Sequence, residues 1–275
     1  MKTRILGGLI IAPLLILVYI GRLPLLIAVA VVAGLGMHEL FQGFAACGIH
    51  ANHKVAYTAL AVLFAIVLYV YLTMSEGMLK SPADQARLHI LITAWFTASV
   101  MASCISIFRI DQHKMEDALA TMLGLVYVTF FCFHAALVDM TAYGILVWMI
   151  FITAFCTDIF AYFTGYFLGK HKLCPVLSPK KTIEGAVGGV IGAMVCSLLF
   201  ARLVCPDLTG HCLILGALGS VLSMCGDLTA SAFKRKMGIK DYGHLIPGHG
   251  GILDRFDSVL FTAPVVYYYI MLVLR

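Results

Sequence analysis

The residues best suited to chemistry lie between Ser231 and Asp257, in the stretch SAFKRKMGIKDYGHLIPGHGGILDRFD. It opens with a basic cluster, continues through a glycine group at Gly248, Gly250 and Gly251, and ends with carboxylates. Glycines let the backbone approach a ligand closely. Mg²⁺ takes few protein carboxylates and completes its coordination with water and phosphate oxygens. The stretch therefore predicts a site for a phosphate-bearing substrate together with Mg²⁺.

Helical spacing groups the polar residues of this region on common faces. Asp227 ends the apolar run before the stretch, and Ser231 lies one helical turn further on the same face. Two basic residues extend that face, Lys234 and Arg235. Asp254 and Asp257 are one turn apart where the next apolar run begins. An acidic pair alone would indicate only a solvated helix end, so the interpretation depends on the whole combination of charges.

A second basic segment, LGKHKLCPVLSPKKTIEG (168–185), places lysines beside hydroxyl groups. Its four lysines are Lys170, Lys172, Lys180 and Lys181. Ser178-Pro179 predicts a turn, and Thr182 is placed to cap the next helix. Lysines near hydroxyls and a helix N-terminus suit phosphate oxygens. The alternative is that these lysines only mark the cytoplasmic side of the membrane.

Two carboxylates in apolar helices are candidates for polar support of the site. Asp158 lies in FCTDIFAYFTGYFLG, where a charge is costly unless it faces a polar interior. Polar and glycine residues follow it at helical spacing: Tyr162, Gly165, Tyr166 and Gly169. Glu39 lies near the predicted cytoplasmic end of the second helix, within reach of the site. The alternative for Asp158 is a structural contact between helices.

Composition defines the elements that must position these residues. The chain has 275 residues, of which 61% are hydrophobic and 12% charged, whereas soluble domains carry about 25% charge. Long apolar runs recur along the whole sequence, which predicts an all-α, polytopic integral membrane protein and excludes a soluble core. Nine scattered cysteines without a CxxC pair favour neither a disulfide framework nor a zinc site.

The apolar runs predict about nine transmembrane helices, near 5–20, 24–44, 55–74, 88–107, 118–138, 143–167, 183–204, 211–229 and 257–274. Glycines four residues apart in the seventh predict close helix packing rather than chemistry: Gly185 with Gly189, and Gly188 with Gly192. With this count, 14 of the 19 Lys and Arg residues fall on one side. The positive-inside rule then predicts a cytoplasmic N-terminus and a site facing the cytoplasm.

The polar stretch also carries a long set of fixed positions. Ser231-x-Phe233-Lys234-Arg235 is followed, after four residues, by Lys240-Asp241-x-Gly243 and then by IPxHGGIxDRFD at 246–257. This pattern resembles the signature of the phosphatidate cytidylyltransferase (CDP-diglyceride synthase) family, without a departure. The Gly-Asp pair at Asp227 and the SPKKTIEG segment resemble that family too. The first 140 residues match only as apolar helices.

The resemblance implies a Mg²⁺-dependent nucleotidyltransferase that converts CTP and phosphatidic acid into CDP-diacylglycerol and pyrophosphate for phospholipid synthesis. It implies a homodimer among membrane lipids of the cell's inner membrane, with no nucleic-acid partner, and leaves room for a second metal ion. The expected catalytic residues are Asp227, Asp254, Ser231, Lys234 and Arg235. The expected metal ligands are Asp227, Asp254 and Asp257. The expected substrate-binding residues are Lys180, Lys181, Thr182, Lys240, His249, Gly250, Gly251 and Arg255.

The predicted organisation is a scaffold of membrane helices over residues 1–140, with dimer contacts, and a catalytic membrane region over 141–275. Two other functions compete with the cytidylyltransferase interpretation. A CTP-dependent polyprenol or phytol kinase would transfer the γ-phosphoryl group to an alcohol. A transporter of an anionic solute would use broken helices and the intramembrane Asp158, but the charged residues crowd one membrane face, which favours the enzyme.

Overall fold

The structure is a computed structural model that describes residues 15–73, 79, 81–108, 114–246, 248 and 250–274. Eight helical spans in these residues are long and apolar enough to cross a membrane. A helix of 20 residues covers the roughly 30 Å apolar thickness of a bilayer. The predicted all-α, polytopic membrane fold is confirmed. The predicted helix at 5–20 lies mostly outside the described residues, although residues 15–20 are helical.

The chain forms two compact units, and the first contains the residues up to Gly144 together with Met237–Arg255. Its helices are α1 (Arg22–Ala45), α2 (His53–Thr73), α3 (Pro82–Ile105), α4 (Met115–Leu123) and α5 (Phe131–Asp139). A π-helical stretch, Gly124–Phe130, joins α4 and α5 into one continuous span. The Trp95 indole donates a hydrogen bond to the Ala59 carbonyl at 2.7 Å, which ties α3 to α2.

The second unit contains Ile145–Lys236 and the chain from Phe256 onward. Its elements are α6 (Val147–Leu168), β1 (Lys172–Cys174), β2 (Ser178–Thr182), α7 (Ile183–Val204), α8 (Thr209–Lys236) and α9 (Leu253–Val273). The first three residues of α9 belong to the first unit. The predicted boundary near residue 140 lies close to the observed one, but the segment after α8 groups with the N-terminal helices. The roles predicted for the two regions stay predictions.

Helices α6, α7 and α8 pack against one another in the second unit. The glycines of α7 face α6 directly. A Cβ atom at Gly188 would collide with Thr164, and one at Gly192 would collide with Phe160. Because neither glycine has space for a side chain, the two backbones approach closely. The packing role predicted for the glycine pattern is confirmed.

Helix α9 lies against α8 and α6 through hydroxyl contacts. Ser258 Oγ donates to the Ser223 carbonyl at 3.3 Å, and Thr262 Oγ1 donates to the Ile150 carbonyl at 3.2 Å. A side chain at Gly226 would collide with the backbone oxygen of Asp257. The neighbouring Asp227 is therefore held beside the first turns of α9.

Three helix ends differ from the predicted ones. Helix α3 begins at Pro82 rather than near 88, because Ser81 caps it and accepts a hydrogen bond from the Asp84 amide at 3.1 Å. Helix α8 continues to Lys236 rather than ending near 229, and α9 begins at Leu253 rather than 257. The predicted boundaries followed the apolar runs, whereas helices continue through residues of good helix propensity into polar sequence.

Candidate functional site

A cavity of about 600 Å³ lies within the second unit, among α6, the β1–β2 hairpin, α7 and α8. We call it the α6–α8 cavity. It brings together five residues that the sequence analysis selected: Asp158, Lys180, Lys181, Thr182 and Asp227. Lys172 also lines it. Lysines and carboxylates that are far apart in sequence therefore share one concave site.

The β1–β2 hairpin positions the lysines. Strands Lys172–Cys174 and Ser178–Thr182 pair antiparallel, with Lys172 opposite Thr182. The turn predicted at Ser178-Pro179 is wrong, because both residues begin strand β2. This pairing brings Lys172 close to Lys180 and Lys181. All three lysines line the cavity.

Two side chains fix the hairpin against the start of α7. Thr182 Oγ1 accepts a hydrogen bond from the Gly185 amide at 3.1 Å, which confirms the predicted helix cap. The Glu184 carboxylate accepts bonds from the amides of Lys170 at 3.1 Å and His171 at 3.2 Å. Its other oxygen lies 2.6 Å from His171 Nδ1. The hairpin is thus bound to the helix at both of its ends.

The carboxylates of the second unit supply the negative charge of the site, opposite in sign to the lysines. Asp227 Oδ2 forms an ion pair with Lys181 Nζ, and both side chains are 26% exposed. Ser231 Oγ lies 3.5 Å from Asp227 Oδ1, at the long limit of a hydrogen bond, one turn along α8. The predicted common face of Asp227 and Ser231 is therefore observed.

Asp257 is a buried carboxylate near this ion pair. Its Oδ1 accepts a hydrogen bond from the Ser258 amide at 2.8 Å, and the residue is 8% exposed. It interacts electrostatically with two further carboxylates, Asp227 and Asp158, and with the Lys234 ammonium. Buried like charges near one another favour a cation between them.

The donor set of the second unit fits a hard cation such as Mg²⁺. Its oxygens come from Asp227 and Asp257, with Asp158 close enough to interact electrostatically. Among the described residues no three metal-binding side chains converge on one point. Mg²⁺ does not require three, because it keeps water and substrate phosphate in its coordination shell.

In the first unit, Asp254 holds the glycine turn of the signature. Its Oδ2 accepts hydrogen bonds from the amides of Tyr242 at 2.8 Å and Gly251 at 2.9 Å. Gly250 has a φ of 84°, a backbone conformation that residues with a side chain rarely adopt. A Cβ atom at Gly250 would also contact the Asp254 carboxylate. These contacts give Asp254 a structural task, and its predicted metal role stays a prediction.

Glu39 of α1 contacts the start of α9. Its two carboxylate oxygens accept hydrogen bonds from the Ile252 amide at 2.9 Å and the Leu253 amide at 2.8 Å. Helix N-termini present unsatisfied amides and a positive dipole end, which a carboxylate stabilises. Glu39 is 6% exposed. The residue selected as polar support thus accepts hydrogen bonds from the amides at the N-terminus of α9.

The remaining predicted residues are basic or fall outside the described part of the chain. Arg255 belongs to the first unit, and its buried Nε has no hydrogen-bond partner among the described residues. Lys240 is exposed in the same unit, and Arg235 is exposed on α8. His249 lies outside the described residues, so its predicted substrate contact stays a prediction.

Four residues of this site were not among the expected catalytic, metal-binding or substrate-binding residues: Lys172, Glu184, Tyr162 and Tyr166. The strand pairing that brings Lys172 to the cavity carried no clear signal, because the strands are only three and five residues long. Glu184 belongs to the SPKKTIEG segment, and no sequence signal indicated its bonds to the amides of Lys170 and His171. The tyrosines carried a usable signal, since they follow Asp158 at helical spacing.

The sequence is similar to the proteins of one family over nearly its whole length. The profile of the cytidylyltransferase family matches residues 2–273. The phosphatidate cytidylyltransferase of Bacillus subtilis (strain 168) is 32% identical over 283 residues, which cover 99% of this chain and 98% of that protein. The phosphatidate cytidylyltransferase of Thermotoga maritima is 31% identical over 97% of this chain and 95% of that protein. The phosphatidate cytidylyltransferase of Synechocystis sp. is 48% identical over 48% of this chain and 45% of that protein.

Proposed function

Because the chain belongs to the cytidylyltransferase family, we propose that it transfers CMP from CTP to phosphatidic acid. The products are CDP-diacylglycerol, a precursor for phospholipid synthesis, and pyrophosphate. The observation that carries the proposal is the α6–α8 cavity, in which three lysines lie beside Asp158 and Asp227, two carboxylates of membrane-spanning helices. A site of this kind can receive a charged nucleotide and a lipid headgroup together.

In this reaction a phosphate oxygen of phosphatidic acid attacks the α-phosphorus of CTP. A new P–O bond forms, the bond between the α-phosphorus and the oxygen leading to the β-phosphate breaks, and pyrophosphate leaves. Such a step needs positioned charges more than covalent catalysis. Lys172, Lys180 and Lys181 would bind the phosphate oxygens, and the hairpin contacts of Thr182 and Glu184 would keep these lysines in place.

Mg²⁺ is part of the proposal as the cofactor. Asp227 and Asp257 would hold it, with Asp158 adding negative charge nearby. When bound, Mg²⁺ neutralises charge on the phosphate oxygens. Lys181, which pairs with Asp227, would turn to the phosphates. A second metal ion, and a place for Asp254 among its ligands, remain predictions.

The protein is an integral membrane protein, and we propose that the site faces the cytoplasm from the inner membrane, where CTP is present. The excess of Lys and Arg on the predicted cytoplasmic side supports this orientation. A homodimer is part of the same proposal, and chemical cross-linking of the purified protein in lipid nanodiscs would test it.

One experiment tests the activity directly. The purified protein is incubated with Mg²⁺ and CTP that carries a label on either the α- or the γ-phosphate, in separate reactions with phosphatidic acid and with a polyprenol or phytol as the acceptor. We expect the α-label in the lipid product and the γ-label in pyrophosphate. Transfer of the γ-label to a polyprenol or phytol would instead establish a kinase, and no transfer to any lipid would contradict both enzymes.

A further inference from the structure

Four aromatic side chains lie on the last turns of α6, and they divide into two pairs. Tyr162 and Tyr166 line the α6–α8 cavity, whereas Phe163 and Phe167 do not. All four are exposed, at 67% and 73% for the tyrosines and 52% and 72% for the phenylalanines. Of these four side chains, only the tyrosines are placed to contact a ligand in the cavity.

The two tyrosine rings lie nearly parallel to each other at the cavity wall. Their ring centroids are 6.3 Å apart, and their planes differ by 18°. They are four residues apart, so one helix face presents both rings. Phe163 and Phe167 stand edge-on to Tyr162 and Tyr166, with interplanar angles of 75° and 84°. The phenylalanines thus contact the tyrosine rings but do not line the cavity.

We propose that Tyr162 and Tyr166 form the stacking surface for the cytosine base of CTP, an inference that rests on the proposed function. Every nucleobase has a π-face, and stacking on an aromatic side chain is a common way to bind one. The same cavity contains the lysines suited to the triphosphate. A nucleotide therefore finds an aromatic wall and a charged wall within one cavity.

The position of the carboxylates agrees with this orientation of the nucleotide. Asp158 is two helical turns before Tyr166, about 12 Å along the axis at 1.5 Å per residue. The metal-binding oxygens and the reacting α-phosphate would lie at the Asp158 end, and the base would lie at the Tyr166 end. The acyl chains of phosphatidic acid would instead pass along the apolar exterior of the helices.

Steady-state kinetics with matched variants test the proposal. Tyr166→Leu and Tyr162→Leu should each raise the KM for CTP by about five- to a hundredfold, the range of one lost stacking contact, with the KM for phosphatidic acid unchanged. Tyr166→Trp keeps a ring and should stay near wild type. Leu168→Ala, on the same turn, exposed and outside the cavity lining, should change neither constant. Equal effects of Tyr166→Leu and Leu168→Ala would overturn the proposal, as would a change confined to phosphatidic acid.

A binding measurement separates this inference from the proposed function. The wild-type protein should bind CTP more tightly than inorganic tripolyphosphate, and Tyr166→Leu should lower CTP affinity while leaving tripolyphosphate affinity unchanged. Equal wild-type affinities for the two ligands would refute base stacking even if the protein makes CDP-diacylglycerol. Loss of CTP preference in Tyr166→Leu would support stacking even if the lipid acceptor proved to be another one.

Discussion

Lys181 and Asp227 form an ion pair across the α6–α8 cavity. Lys181 is suited to bind phosphate, and Asp227 is suited to bind a cation. In the ion pair, Lys181 takes the place of the cation at Asp227, and Asp227 takes the place of the phosphate at Lys181. A nucleotide with Mg²⁺ offers both partners a replacement of the right charge. Since both side chains remain partly exposed, the pair can separate without leaving an unpaired buried charge.

Neutralising Lys181 should weaken CTP selectively. A charge-assisted phosphate contact is worth roughly 1.5–3 kcal/mol, so Lys181→Gln should raise the KM for CTP about ten- to a hundredfold, and Lys180→Gln should act in the same direction. The KM for phosphatidic acid should stay unchanged. Lys170→Gln is the matched control, because Lys170 is exposed and does not line the cavity. If all three variants keep the wild-type CTP dependence, the lysines only set topology.

Removing one cavity carboxylate charge should change the response to Mg²⁺. Asp227→Asn should nearly abolish turnover at limiting Mg²⁺, because Asn is a weaker ligand for a hard cation. Asp254→Asn should also lose activity, through its predicted metal role or through its bonds to Tyr242 and Gly251. Asp207→Asn, an exposed carboxylate outside the signature and the cavity, is the control. A wild-type Mg²⁺ titration curve for Asp227→Asn would remove this residue from the metal site.

Much of the fold was predictable because the bilayer imposes simple rules. Apolar runs long enough to cross it had to be helices, and eight such spans are found in the described residues. Their ends were less predictable. Glu39 fixes the start of α9 across more than two hundred residues of sequence, and no local pattern reveals such a contact.

The candidate site was predictable in its residue types and less so in its contacts. Lys181 and Asp227 were selected separately for phosphate and for metal, and their ion pair emerged only from the fold. Asp254 was selected as a ligand, and the fold adds two backbone amides on its carboxylate. Sequence indicates which groups carry charge, whereas the backbone path decides which groups they meet.

Glu39 should contribute to stability more than its position in an apolar helix suggests. Glu39→Gln replaces one acceptor oxygen with an amide group that faces a backbone N–H. The free energy of unfolding should fall by about 1–3 kcal/mol, the cost of leaving a buried donor unsatisfied. Thermal unfolding in detergent measures this loss. Glu116→Gln, at an exposed position of α4, should leave the midpoint unchanged, and an equal shift in both variants would contradict the capping role.

Glu184 should act on CTP through the hairpin rather than by contact. Glu184→Ala removes the acceptor for the amides of Lys170 and His171, so the cavity lysines lose their fixed position. The KM for CTP should rise while tripolyphosphate still binds weakly to the free lysines. His171→Ala removes only the side-chain contact and should have a smaller effect. A larger effect for His171→Ala would mean that the imidazole, not the amide bonds, supports the hairpin.

Cysteine labelling at the two ends of α7 should establish the orientation of the site. Val176 is 96% exposed in the hairpin before α7, and Asp207 is exposed just after it. A 22-residue helix is about 33 Å long, so these positions lie on opposite membrane faces. In a cysteine-free background, a membrane-impermeant maleimide added to intact cells should label Asp207→Cys and not Val176→Cys. Detergent permeabilisation should expose Val176→Cys, which proves that its thiol is reactive. Labelling of Val176→Cys in intact cells would place the lysine hairpin outside, away from CTP, and would contradict the proposed site.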